Sequence, residues 1–149
     1  MQQANDFLDE SKALSTLLAS LSEGDFETPT QFKGWTINNI IRHLHVWNIA
    51  VDLSLHDEAA FGAFVTAMMA GVRGGKLPAF EESYLDGLSG HALRNAWIKR
   101  AEATAVAFAE ADPKLRLKWV GPDMSALSSI TARLMETWAH GQAVYDVLG

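Results

Sequence analysis

The stretch Gly34-Trp35-Thr36-Ile37-Asn38-Asn39-Ile40-Ile41-Arg42-His43-Leu44-His45-Val46-Trp47-Asn48 decides the fold. Thr36 stands just ahead of an apolar run, where its side-chain oxygen can cap the first backbone N–H groups of a helix. Ile37, Ile40, Ile41, Leu44, Asn48, Val51 and Leu55 then trace one face at the 3.6-residue period.

The same period recurs on both sides of this segment. Upstream, Phe7, Leu14, Leu17, Leu18 and Leu21 form a stripe that predicts a helix from about Asn5 to Leu21, with Gly24 as its stop signal and a loop through Thr28-Pro29. Downstream, Phe61, Phe64, Val65, Met68, Met69 and Val72 predict a third helix ending at Gly74-Gly75, its methionines read as core filling. A short helical piece spans about Phe80 to Leu88. Ser89 is placed to cap a long helix reaching about Ala111, before Pro113. Trp119 to Met124 reads as a loop, and Ser125 as the cap of a last helix to about Leu148. No stretch shows the sustained alternation of a half-buried strand, so the class is all-α, and long helices with short ancillary pieces suggest a four-helix bundle.

The 149 residues have the length of one domain, taken as 1–149. Hydrophobic residues make up 48% and charged residues 20%, an ordinary globular composition. A formal charge of −6 with twelve scattered Lys and Arg argues against nucleic acid as the main partner, because phosphate binding needs a basic face. No run approaches the roughly 20 apolar residues of a membrane span, and the N-terminus, MQQANDFLDE, is acidic rather than a basic signal region. The expectation is a soluble, cytoplasmic protein that acts on a small molecule. The absence of cysteine excludes disulfides, thiolate nucleophiles and Cys-ligated zinc, so a metal site must be built from His, Asp and Glu.

Two places offer such ligands. Glu136 and His140 lie four residues apart on the last helix, one turn from each other on the same face, among mostly apolar neighbours. Burying a carboxylate there costs several kcal/mol unless it is paired or coordinates a metal; a surface pairing of Glu136 with Arg133 or His140 is the bland alternative. The second helix offers His43 and His45, which point to different sides. His43 has Asn39, Ile40, Val46 and Trp47 one turn away, and is expected to face inward. His45 has Ile41, Arg42, Asn48 and Ile49, with Asp52 a turn further, and is expected at the surface. An inward histidine is more often a hydrogen-bonded core residue than a ligand.

The segment from Gly34 to Leu44 resembles the GWT-x-x-x-x-x-x-HL opening of the second helix in the DinB-like superfamily, particularly its mycothiol-dependent maleylpyruvate isomerase branch. The tail from Arg133 to Gln142 is similar to that branch's E-x-x-x-H segment, about ninety residues later on the expected helix. The resemblance implies a DinB-like four-helix bundle and a divalent metal held by His43, Glu136 and His140. More distant members use three histidines, so Glu136 places this sequence nearer the isomerases. Those enzymes carry an additional C-terminal domain, whereas the sequence here runs to Gly149, directly after the last bundle helix.

Three such ligands leave positions open for water or substrate, as in catalytic sites. Zinc fits best, and nickel, iron, manganese or cobalt also suit nitrogen and oxygen donors. The resemblance implies a low-molecular-weight thiol such as mycothiol as co-substrate, hence thiol transfer or thiol-assisted isomerisation. A hydrolase using metal-activated water needs the same ligands, and a non-enzymatic, ligand-binding dimeric bundle is the third reading. Arg133 is expected either to orient Glu136 and hold an anionic group, or to be a structural arginine. Trp47 can line the pocket or fill the core. The loops Arg73-Gly74-Gly75-Lys76 and Gly121-Pro122-Asp123-Met124 are candidate walls of the site, and a homodimer is the expected assembly.

Overall fold

The computed structural model describes residues 1–149. Its elements are α1 (Gln2–Leu18), a 3-10 turn (Gly24–Glu27), α2 (Ile37–His56), α3 (Glu58–Arg73), α4 (Leu77–Tyr84), α5 (Gly90–Glu110), two short strands β1 (Arg116–Leu117) and β2 (Met124–Ser125), and α6 (Ala126–Leu148). The long helices α1, α5, α2 and α6 pack around a common core in that cyclic order, so α1 lies diagonally across from α2 and α5 from α6. This is the expected four-helix bundle, with α3 and α4 laid against the outside of α2. No helix is long and apolar enough to cross a membrane.

The core has two main parts. Leu14, Leu18, Phe26, Ile41, Leu44, Leu93, Trp97 and Val144 fill one end. Phe7, Val51, Ala101, Phe108, Leu117 and Ile130 fill the other. A satellite of Val46, Ala50, Phe61, Phe64 and Met68 glues α3 to α2, whereas Met69 and Val72 of the same stripe face solvent. Enclosed by α5 and α6 on one side and α3 and α4 on the other, α2 has 13 of its 20 residues buried, so its polar residues have to be accommodated inside the fold.

Local chemistry explains most element ends. Thr36 makes a full capping box: its hydroxyl accepts from Asn39 N at 3.1 Å, and Asn39 Oδ1 accepts from Thr36 N at 2.9 Å. Ser125 caps α6 by accepting from Ser128 N at 3.0 Å. Helix α1 stops at Leu18 rather than Leu21, and the Leu21 carbonyl bonds the His91 ring at 2.6 Å. Helix α4 begins at Leu77 rather than Phe80, because Pro78 fits the first turn of a helix, and it ends before Asp86 and Gly87, both at positive φ.

The start of α5 departs from expectation. The Ser89 hydroxyl makes no capping bond. Asn38 Oδ1 accepts instead from Gly90 N at 2.9 Å, and Glu23 Oε1 from His91 N at 3.2 Å. Gly90 sits at φ +60°, where a Cβ would run into the Glu23 carboxylate. A further departure from a purely helical reading is the β1–β2 ribbon, antiparallel with Arg116 opposite Ser125 and Leu117 opposite Met124. It closes the loop carrying Trp119 and Val120 at the head of α6.

Candidate metal centre

The GWT segment explains how the second helix presents its histidine. Lys33 and Gly34 both adopt positive φ, at 53° and 70°, in a tight turn closed by Thr30 N to Trp35 O at 2.8 Å and Trp35 N to Phe32 O at 2.9 Å. The turn folds two aromatic rings back over the start of α2. Trp35 packs edge-on to His43 with centroids 5.4 Å apart and parallel to His140 at 6.1 Å. Phe32 meets His140 edge-on at 4.9 Å.

His43 on α2 and Glu136 and His140 on the adjacent α6 each offer one ligand atom, and these atoms lie within 4.8 Å of one another. Glu136 Oε2 is 2.9 Å from His140 Nε2 and 3.9 Å from His43 Nε2. Donors about 2.0–2.2 Å from one tetrahedral ion sit roughly 3.3–3.6 Å apart, so the two distances from Glu136 need changes of about half an ångström or less, and the histidine pair closes from at most 4.8 Å. Glu136 is half-exposed, and the hydrogen bond from His140 holds its carboxyl below the usual carboxylate range, against the opposing effect of burial.

One residue essential to this arrangement escaped the sequence reading. Glu81 of α4 is wholly buried, and its Oε2 accepts from His43 Nδ1 at 2.7 Å and from Trp47 Nε1 at 2.9 Å. A carboxylate only accepts, so His43 donates from Nδ1, and its Nε2, turned toward Glu136, is the ring nitrogen left to meet an ion. A buried carboxylate that fixes the tautomer and the ring orientation is the usual support of a metal-ligating histidine. The donor set therefore fits a divalent ion. A signal for Glu81 was available, since Leu77, Glu81, Leu85 and Leu88 follow one helical stripe in which a lone acid is out of place.

His45 corrects the expectation of a surface residue. It is 6% exposed and lies against Lys99 and Arg100 of α5, and Asn48 and Asp52 of the same column are buried as well. Within this apparently wet column α5 answers Asp52: Thr104 donates to it at 2.8 Å and Arg100 Nη1 reaches Asp52 Oδ2 at 3.0 Å. Burial, helped by the Arg100 charge, pushes the His45 imidazole down to about 4. His45 thus lies against α5, apart from the centre, and its Nδ1 has no hydrogen-bond partner.

Two clefts meet at the centre, sharing His43 and Glu136. The smaller, about 230 Å³, is walled by Trp47, Trp119, Val120 and Arg133. The larger, about 430 Å³, is walled by Phe32, Trp35, Val72, Pro78 and the rim lysines Lys33 and Lys76, and also reaches His140. Of the two anticipated loop walls, Gly75 and Lys76 line the larger cleft, and Val120 borders the smaller one next to Gly121. Trp47 is only partly buried and lines the smaller cleft, edge-on to Trp119 at 5.8 Å.

The bundle topology and the His/Glu/His set on its second and last long helices define a DinB-like helical protein. The chain belongs to the mycothiol maleylpyruvate isomerase N-terminal domain family, whose model matches residues 7–145. Two proteins from strains of Mycobacterium tuberculosis, both described as uncharacterized, are each 40% identical over 146 residues, covering 97% of this chain. The chain spans 55% of the length of these curated relatives. A crystal structure of the mycothiol-dependent maleylpyruvate isomerase matches with a TM-score of 0.69 at 18% identity, covering 95% of this chain and 59% of that one, and a mutant of that enzyme matches equally well. At that identity the structural likeness speaks to the fold alone.

Proposed function

We propose that this chain is the metal-binding part of an enzyme that uses a low-molecular-weight thiol, of the mycothiol type, on a small electrophile, by thiol transfer or thiol-assisted isomerisation. The observation that carries this reading is the convergence of three donor atoms where two clefts meet, one of the three held from behind by a buried carboxylate. His43 Nε2, His140 and Glu136 would hold the ion, zinc by preference, with nickel, iron, manganese or cobalt also suited to these donors. When bound, such an ion supplies a Lewis-acidic centre that lowers the pKa of a sulfur or oxygen ligand.

The chain's own residues do the rest. Glu81 keeps the His43 proton on Nδ1 and holds Trp47 against the smaller cleft. Phe32 and Trp35 shield the histidines from bulk water. With no cysteine in the chain, the reacting sulfur has to come from a second substrate, and two clefts around one centre suit a reaction with two partners. The family supports mycothiol as that partner.

Metal analysis after purification tests the first half: wild type should carry close to one equivalent and His43→Ala and His140→Ala much less. Equal content in all three would sink the metal reading. For the second half, a cobalt-loaded sample is titrated with mycothiol or another small thiol while its visible absorption is followed. A spectrum indifferent to thiols but sensitive to hydroxide would replace the thiol reading with a hydrolytic one.

A further inference from the structure

Arg133 sits one turn before Glu136 on α6 and is only 5% exposed, yet its Nε and Nη1 have no hydrogen-bond partner. It forms no ion pair within 4.0 Å, and the charge nearest to it in effect is that of the half-exposed Glu136. A buried guanidinium with unanswered N–H groups is costly, about 1–3 kcal/mol for each unsatisfied group and more for the charge. Folds keep such a group where something outside the chain answers it. Its one evident neighbour is the Trp119 ring, 5.8 Å from Cζ to centroid, which can stack on a guanidinium but cannot accept its hydrogen bonds in the plane. Arg133 lines the smaller cleft, whose far end is His43 and Glu136. Burial pushes the guanidinium down to about 10, so it remains cationic at neutral pH.

We propose that Arg133 is the anion-recognition residue of the smaller cleft: its guanidinium, backed by Trp119, takes a carboxylate of the electrophilic substrate and decides which end of that molecule faces His43 and Glu136. The volume suits a small ligand. About 230 Å³ is ample for a short carboxylic acid. The planar fork can bond a carboxylate through two parallel N–H···O bonds, and the Trp47, Trp119 and Val120 walls favour an anion that carries a short carbon chain over inorganic phosphate. The larger cleft, with Lys33 and Lys76 at its rim, is left for the thiol. The inference rests on the reading of the metal centre only in placing the reacting atoms beside His43; the anion site itself needs no metal.

The test is therefore run on metal-free protein in the presence of chelator. Tryptophan fluorescence, to which Trp47 and Trp119 contribute from the cleft wall, is followed during titration with succinate, with neutral succinamide and with inorganic phosphate. Succinate should bind, succinamide should not, and phosphate should bind more weakly than succinate. Arg133→Met should weaken succinate about tenfold or more, and Arg133→Lys should recover part of that loss. Val120 is 37% exposed at the cleft wall, so Val120→Glu keeps the core intact and supplies an internal carboxylate that competes with succinate. That variant carries the test if Arg133→Met does not fold. Undiminished succinate binding in Arg133→Met or in Val120→Glu, no succinate binding by folded wild type, or tighter binding of phosphate overturns the proposal. Succinate binding through Arg133 in a protein that never takes up metal would uphold the anion site while the metal reading fails, so the two are separable.

Discussion

Glu81→Gln separates the support of the centre from the stability of the fold. Glu81 Oε2 accepts from both His43 Nδ1 and Trp47 Nε1, at 2.7 and 2.9 Å, while Oε1 is buried without a partner. A glutamine can place its carbonyl oxygen where Oε2 lies and its amide where Oε1 lies. Both acceptor bonds survive, and only the charge is lost. Hydrogen bonds to a charged acceptor contribute about 1.5–3 kcal/mol and neutral ones about 0.5–1.5, so two bonds weaken by roughly 1 kcal/mol each. Desolvating a carboxylate costs several kcal/mol in the native protein and an amide much less, which offsets that loss. The metal-free variant should therefore unfold in urea within about 1 kcal/mol of wild type.

Metal affinity should behave differently. The charge behind His43 raises the basicity of its Nε2, and loss of such a partner weakens binding about 10–100-fold, equivalent to about 1.4–2.7 kcal/mol. Competition with a chromophoric chelator at neutral pH measures this directly. Affinity within threefold of wild type, in a variant of unchanged stability, would refute the claim that the Glu81 charge, beyond the hydrogen bond that orients the ring, strengthens His43 as a ligand.

Three further outcomes concern the fold. His45 is buried with its imidazole pushed down to about 4 from 6.5, so the unfolded chain binds the extra proton between these values. Stability is then complete above about pH 6.5 and falls as pH drops toward 4, by about 2 kcal/mol at pH 5 from this group; urea unfolding at pH 7 and 5 should show that loss in wild type and a smaller one in His45→Gln. Thr36→Ala removes one arm of the capping box and should cost about 1 kcal/mol in the same assay at pH 7, with no loss if the cap is idle. Gly90→Ala forces a side chain into a left-handed position, about 1–2 kcal/mol, and also displaces the Glu23 carboxylate from the His91 N–H; a thermal midpoint equal to that of wild type would argue against this account of the start of α5.

What was legible in the sequence follows from the range of the interactions. Thr36 and Ser125 announce their helices because a cap is a local bond over three residues. The stripe Ile37, Ile40, Ile41, Leu44 reads directly because period alone decides which face is buried. Glu81 and Trp119 were missed because their roles depend on partners 34 to 72 positions away: Glu81 meets His43 and Trp47, and Trp119 meets Trp47 and Phe61. The Ser89 cap was misassigned for the same reason, since Asn38 and Glu23 reach the start of α5 from distant segments.

The misplacement of His45 has a more general cause, and it bears on the site. A polar column on a helix reads as its wet side only if the helix has one. With α5 and α6 on one flank and α3 and α4 on the other, α2 has almost none, so its polar residues are carried into the interior, where Asn48 and the His45 Nδ1 find no hydrogen-bond partner. Asp52 is answered by Thr104 and Arg100, and Arg42 by the Leu88 carbonyl at 2.9 Å. His43 is answered by Glu81 on its Nδ1 side alone. Its Nε2 faces a carboxylate 3.9 Å away, too far for a hydrogen bond, across a junction of two open clefts. What sets His43 apart from the buried Asn48 and His45 is that its Nε2 faces open cleft beside Glu136 and His140, the position a bound ion would complete.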